Sequence, residues 1–223
     1  MKKDIRKQYN DFAKTFSREQ KEKDQTNRSC MYSFIEKRLD GKKVLDIGCG
    51  DGIDTDYYHA LGANVVGVDA SEELINIAKK KYPKNTFRVA LAENLPYAEN
   101  SFDAVYSKYA IMTSADLKPI FKEVARVLKP GGEFVYLATH PFRQYLELKD
   151  LSSDYFKQKE VKLNCLGGTV EINEPTHTFN NYLSPDFFQH FTIKIFVEVN
   201  DPAADAMYGG NHPGFFVIRA IKK

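Results

Sequence analysis

Cysteine is scarce in this chain: Cys30, Cys49 and Cys165 are far apart and form no C-x-x-C pair. Neither a disulfide framework nor a zinc site follows from such a set, and no metal is expected. Long apolar runs are missing too, since no stretch approaches the roughly 18 residues of a membrane-spanning helix. The opening Met1-Lys2-Lys3-Asp4-Ile5-Arg6-Lys7 lacks the apolar core of a secretory leader. A reducing cytoplasm is therefore the expected location, without membrane insertion. An excess of one charge is also absent: the formal net charge is +2 over 223 residues, which gives no reason to expect a nucleic-acid partner. The chain has no internal repeat and no low-complexity segment, and nothing in it fixes an oligomeric state.

What is present suffices for one substantial core, with 43% hydrophobic and 28% charged residues. Charge is uneven along the chain. Residues 1–43 carry 13 Lys+Arg against 7 Asp+Glu, a net of +6, and the remainder carries 19 against 23, a net of −4. A basic end of this kind is usually a solvated helix face, with an anionic substrate as the alternative.

The densest signal is Val44-Leu45-Asp46-Ile47-Gly48-Cys49-Gly50-Asp51-Gly52, an apolar strand running into glycines at alternate positions. Lacking β-carbons, Gly48, Gly50 and Gly52 let backbone amides approach a ligand closely, and Ile53 to Leu61 reads as a helix. Strand, glycine loop and helix are the start of a doubly wound sheet. Next, Asn64-Val65-Val66-Gly67-Val68-Asp69 is a β-branched run ending in a carboxylate. An acid about 20 residues beyond the glycines, at a strand tip, can accept hydrogen bonds from both hydroxyls of a ribose.

Further strands are predicted at 44–48, 65–69, 86–91, 103–107 and 133–139, with helices at 53–61, 72–81 and 116–128. Such alternation predicts a parallel sheet covered by helices on both faces. Thr192–Val199 and Gly214–Ile221 add two β-rich runs with no helix between, a final antiparallel pair. The link between them, from Asn200 to Pro213, contains Gly209-Gly210 and reads as either a rim or a contact surface.

From about Lys43 to His140 the chain resembles the class I S-adenosylmethionine-dependent methyltransferases. Val44–Gly52 is similar to their first motif and Val65–Ser71 to their second. Leu91-Ala92-Glu93-Asn94-Leu95-Pro96-Tyr97 with Ser101-Phe102-Asp103-Ala104-Val105 resembles the third block, and Val127-Leu128-Lys129-Pro130-Gly131-Gly132 the fourth. The nearest likeness is to the branch that methylates small metabolites such as quinone precursors and acyl-carrier-linked acids. The resemblance implies a Rossmann-like, mostly parallel seven-stranded α/β sheet and S-adenosylmethionine as cofactor, with S-adenosylhomocysteine as product. By the same resemblance Asp46, Gly48, Cys49, Gly50, Gly52, Asp69, Ala70, Ala92 and Glu93 are cofactor-binding positions. Where much of that branch has an aspartate facing the adenine amino group, this chain has Leu91, leaving the backbone near Ala92, and Glu93, to read the base.

The expected organisation is a single methyltransferase domain over 1–223. It divides into an N-terminal helical lid (1–40), a cofactor-binding core (41–140), a substrate-cap insert (141–185) and terminal strands (186–223). Tyr9, Phe12, Ala13 and Phe16 recur at helical spacing in the first segment, and the resemblance makes Tyr9 and Phe12 lid residues. The insert holds Tyr145, Tyr155, Phe156, His177, Phe179 and Tyr182, placed after a strand end where such folds bind ligands. Tyr9 and Tyr109 are candidates to face a sulfonium by cation–π attraction. For a hydroxyl acceptor a base is needed. His140, at the tip of the fifth strand and expected to face the cleft, is the first candidate and His177 the second; each lies in a stretch similar to a short motif of one group of these enzymes.

Two other readings compete. An NAD(P)-dependent oxidoreductase would carry G-x-G-x-x-G, whereas the spacing here is G-x-G-x-G with Ile53 at the third position. A non-catalytic S-adenosylmethionine-binding protein would bind the cofactor and transfer nothing. Acceptors on base amino groups or glutamine amides usually go with an N-P-P-Y-like tetrapeptide after strand four, where this chain has Ser107-Lys108-Tyr109-Ala110.

Overall fold

The computed structural model describes residues 5–150, 152–166, 168–200 and 211–223; the Gly209-Gly210 link lies outside the described residues. In chain order the elements are α1 (Ile5–Lys23), α2 (Gln25–Tyr32), β1 (Lys43–Ile47), α3 (Ile53–Ala60), β2 (Asn64–Asp69), α4 (Glu72–Lys81), β3 (Thr86–Val89) and β4 (Phe102–Lys108). A 3₁₀ turn at Ile111–Thr113 follows, then α5 (Lys118–Val127), β5 (Leu128–Thr139), α6 (Pro141–Glu147), β6 (Glu160–Cys165) and β7 (Val170–Pro175). The chain closes with α7 (Phe179–Tyr182), α8 (Pro185–His190), β8 (Phe191–Asn200) and β9 (Pro213–Lys222).

Seven strands form one sheet in the order β3-β2-β1-β4-β5-β9-β8, with β9 antiparallel to both β5 and β8. The antiparallel β9 sets this sheet apart from the all-parallel 3-2-1-4-5-6 dinucleotide fold, against the oxidoreductase reading. Period-two alternation divides the core between the faces. Leu45, Ile47, Phe134, Tyr136 and Ala138 pack with α5 and α8 on one side, and Val44, Val135 and Leu137 with Met31 and Tyr58 on the other. Strand order reverses between β1 and β4, and in such sheets the crevice beyond that point takes the ligand.

The predicted elements recur with shifted ends. β5 begins at Leu128, and Lys129–Gly132 forms an irregularity between the pairs Phe102↔Leu128 and Ala104↔Glu133, with Gly131 at φ +75°. β3 stops at Val89, although the Ala90 N–H still donates to the Asp69 carbonyl at 2.9 Å. α4 has a complete set of end signals. Ser71 Oγ accepts from the Leu74 N–H, Glu72 and Glu73 occupy the first turn and Lys79, Lys80 and Lys81 the last, matching the helix dipole at both ends.

Two additions cover the crevice. Within the insert, β6 and β7 make a separate two-stranded sheet whose Val161, Leu163, Val170 and Ile172 pack with Tyr9 and Phe12 of α1. α1 is fastened at three places. Gln8 Oε1 accepts from both the backbone N–H (2.9 Å) and the side-chain amide (3.0 Å) of Asn173, while Gln8 Nε2 donates to the Asn173 carbonyl (3.2 Å). Ser71 Oγ lies 2.6 Å from Asn10 Oδ1, and Ser17 Oγ donates to Asp51 at 2.8 Å beside the Lys81 ammonium.

Candidate active site

The glycine loop, the tips of β2 and β4, α1 and the β6–β7 hairpin enclose a cavity of about 650 Å³, within the range of small-molecule sites. Gly48 is needed where the β1 and β4 ends meet, because a Cβ there would lie 2.1 Å from that of Ala110. Opposite it Tyr109 adopts φ +52°, a left-handed conformation that L-residues hold only under surrounding constraint, and its ring lines the cavity. Gly50 leaves an open cradle: a Cβ there would come no closer than 3.8 Å to Phe16 and Gln20. Gln20 Oε1 is buried beside that cradle with no protein partner among the described residues.

Asp69 stands where the sequence places it, at the end of β2 and in the cavity wall. Its Oδ2 accepts from the Gly50 N–H at 2.9 Å and its Oδ1 from the Ser71 N–H at 2.8 Å, so the acid and the glycine loop are one unit. Burial raises its pKa, and the N–H groups of Ser71, Gly50 and Ala70 pull it back down. Ala70, Leu91, Ala92 and Glu93 line the same cavity, as do Tyr9 and Tyr109.

Three expected cofactor positions, Asp46, Cys49 and Gly52, lie outside the cavity wall and make contacts within the fold. Asp46 is buried, accepts from Thr55 Oγ1 at 2.6 Å and is not part of the cavity wall. Burial and the neighbouring Asp54 charge push its carboxyl up to about 7. Cys49 packs with Ile75, Ala78 and Phe87 beneath the loop. Gly52 caps α3 at φ +87°, and a Cβ on it would fall 2.7 Å from the Phe87 ring.

Both histidines also depart from expectation. Thr139 lines the cavity, and His140 turns away to cap α6. Its Nδ1 accepts from the Phe142 N–H at 3.0 Å, which leaves Nε2 to donate to Glu198 at 2.7 Å. With both ring nitrogens engaged and burial lowering its pKa, it has no lone pair for a substrate proton. His177 is buried behind the 3₁₀ turn, its Nε2 3.0 Å from the Met112 carbonyl, and burial lowers its pKa likewise. It ties the hairpin to that turn and lies outside the cavity wall.

Sequence reasoning missed a group of buried charges at the cavity floor. Lys108, at the end of β4, pairs with Asp24 and lies 3.3 Å from Asp54; Arg28 of α2 reaches Asp54 at 2.8 Å and Asp24 at 3.4 Å. Burial alone would raise Asp54, but Lys108 and Arg28 outweigh it and hold the carboxyl below its ordinary pKa. Lys108, Asp24 and Asp54 all line the cavity. These residues are spread over 84 positions of sequence, so no local pattern marks them. Glu174 and Arg143, from β7 and α6, were also missed and line the same cavity.

Among the described residues no cluster of metal-ligating side chains occurs, and no helix is long and apolar enough to cross a membrane. Residues 45–136 match the family model described as a methyltransferase domain. Residues 45–136 are thus similar to a methyltransferase domain, and the fold is the one seen in solved S-adenosylmethionine-dependent methyltransferases. An uncharacterized methyltransferase of Synechocystis sp. is 46% identical over 102 residues, 45% of this chain and 48% of that protein. Demethylmenaquinone methyltransferase of Chlorobaculum parvum is 36% identical over 131 residues, 57% of this chain and 54% of the relative. The chain therefore spans about half the length of these relatives. An S-adenosylmethionine-dependent methyltransferase from Mesorhizobium loti superposes with a TM-score of 0.70 at 23% identity, over 86% of this chain and 96% of that one.

Proposed function

We propose that this chain transfers a methyl group from S-adenosylmethionine to a small-molecule acceptor. The observation that carries the reading is the Gly50–Asp69 unit at the strand-order reversal, in a cavity closed by elements outside the core. Asp69 would hold the ribose hydroxyls, Glu93 and the backbone at Ala92 the base, and Gln20 Oε1 an amino group over the Gly50 cradle. S-adenosylmethionine supplies a methyl group on a positively charged sulfur. The work of this chain is to align reactants and keep water away, and alignment alone is worth roughly 7–11 kcal/mol. The faces of Tyr9 and Tyr109 suit a cation at about 0.5–2 kcal/mol each.

A small acceptor is supported by the enclosing walls, with Leu163, Leu166 and Ile172 providing an apolar lining. The Chlorobaculum relative is named for demethylmenaquinone, a small molecule. Cys30, Cys49 and Cys165 are free thiols, which suits a reducing cytoplasm. Calorimetric titration with S-adenosylmethionine, S-adenosylhomocysteine and NAD tests the reading. Both sulfur nucleosides should bind and NAD should not; binding of NAD alone would overturn it. Transfer of labelled methyl to any of a panel of phenols, quinols and acyl acids then separates an enzyme from a passive binder.

A further inference from the structure

Strand β7 presents Ile172 and Glu174, two residues apart and so on one face, to the cavity. Glu174 is 1% exposed. Its Oε1 accepts from Gln144 Nε2 at 2.6 Å, and Gln144 is itself fixed: Nε2 also reaches the Pro175 carbonyl at 3.2 Å and Oε1 accepts the His177 N–H at 2.8 Å. Glu174 Oε2 is buried and has no hydrogen-bond partner among the described residues. A native fold seldom leaves a buried carboxylate oxygen unpaired, and a site awaiting a ligand is a standard reason. The carboxyl is thus held by one oxygen and left unpartnered at the other, in a wall that Arg143, Cys165, Leu163, Leu166 and Ile172 share.

We propose that Glu174 receives the acceptor's proton, and that the acceptor is a hydroxyl compound. The inference rests on the methyl-transfer reading. As the acceptor oxygen bonds to the methyl carbon, the carbon–sulfur bond breaks with its electron pair going to sulfur. The O–H proton passes to Glu174 Oε2 and is afterwards released to solvent. A hydroxyl keeps its proton at neutral pH and is a poor nucleophile until relieved of it, which is where a base matters. A carboxylic acid or an activated thiol arrives already ionised and would set a second negative charge against Glu174.

Electrostatics are consistent with that task. Burial pushes Glu174 up to about 8, opposed by the Gln144 hydrogen bond and the Arg143 charge. The titratable groups that feel its charge are Tyr9 of α1, Cys165 of β6 and Tyr182 of α7. Burial raises all three, so they stay neutral at physiological pH, and Arg143 of α6 is the cation that steadies the ionised carboxylate. With that pKa about one molecule in ten carries the base form at pH 7, so turnover should climb roughly tenfold toward a plateau above pH 8.

The test compares wild type with Glu174→Gln, which keeps the Oε1 contact to Gln144 and removes the proton-accepting charge. Labelled-methyl transfer is measured on hydroquinone, catechol and hexanol from pH 6 to 9, with aniline and hexanoic acid as non-hydroxyl comparisons. Expected are transfer to at least one hydroxyl probe, the rise toward pH 8 in wild type, and a loss of about 100-fold or more in kcat in the variant. Calorimetric affinity for S-adenosylhomocysteine should be unchanged. Thermal melts give a readout independent of turnover. A folded-state pKa above the unfolded value makes stability fall as pH rises from about 4.5 to 8, and Glu174→Gln should flatten that fall.

The assignment is overturned by a variant that keeps the wild-type rate and pH profile, or by transfer to aniline or hexanoic acid in preference to every hydroxyl probe. It also fails if wild type binds S-adenosylhomocysteine yet methylates none of the hydroxyl probes. Should Glu174→Gln not fold, the wild-type profile decides: a rate flat between pH 6 and 9 rejects Glu174. Failure of wild type to bind S-adenosylhomocysteine would instead sink the methyl-transfer reading itself.

Discussion

Arg28 Nε lies 2.8 Å from Asp54 Oδ1, joining the second helix of the N-terminal segment to the first turn of the helix that follows the glycine loop. Both side chains are less than a tenth exposed, and Tyr32 also donates its hydroxyl to the same oxygen. The contact makes the N-terminal segment part of the cavity floor. Arg28→Met would leave Asp54 facing Lys108 alone and Asp24 with one cation fewer. Removal of one partner from a buried pair costs about 3–5 kcal/mol, and denaturant unfolding should show a loss of that order.

Asp69→Ala removes the acceptor that orders the Gly50 and Ser71 N–H groups. Hydrogen bonds to a charged group contribute about 1.5–3 kcal/mol, so S-adenosylhomocysteine should bind about 10- to 100-fold more weakly by calorimetry. An unchanged affinity would remove Asp69 from the nucleoside site.

Gly67 has an ordinary strand conformation, yet a Cβ on it would meet Phe87 Cδ1 and Thr55 Oγ1 at 2.8 Å and Cys49 Cβ at 2.9 Å. Gly67→Ala should destabilise by about 1–3 kcal/mol through overpacking. The simultaneous change Phe87→Leu should recover part of the loss, as melting temperatures would report.

Asp46 bears on pH dependence. Its folded-state pKa of about 7 lies above the ordinary carboxylate value of 3.8, chiefly through burial. Between those values the folded chain binds more protons than the unfolded one, so stability due to this group is full at low pH and is lost as pH rises toward 7. Asp46→Asn should flatten the stability profile between about pH 4 and 7 relative to wild type, in melts run across that window.

The legibility of this chain follows the range of its interactions. β1 and β2 are readable because their β-branched runs end in a glycine and a carboxylate that local geometry requires, and Asp69 inherits its place from the strand. α5 is readable from its apolar stripe, but Lys129–Gly132 looks like a turn before a strand and is instead an irregularity within β5. The hairpin is obscured because its alternating pattern around Val161 and Leu163 is only six residues long. His140 misleads because its direction depends on Pro141 starting a helix and on Glu198, 58 residues away, accepting a hydrogen bond from its Nε2. Lys108 looks like a surface lysine until α2 and α3 bring Asp24 and Asp54 beside it.

The fastening between Gln8 and Asn173 has a mechanical consequence. One glutamine side chain meets the backbone N–H, the carbonyl and the side-chain amide of a single residue on β7. Sliding the helix by one residue along the hairpin would misalign all three contacts together, so they fix the register of α1 on β7 as a set, and Gln8→Ala would remove all of them at once.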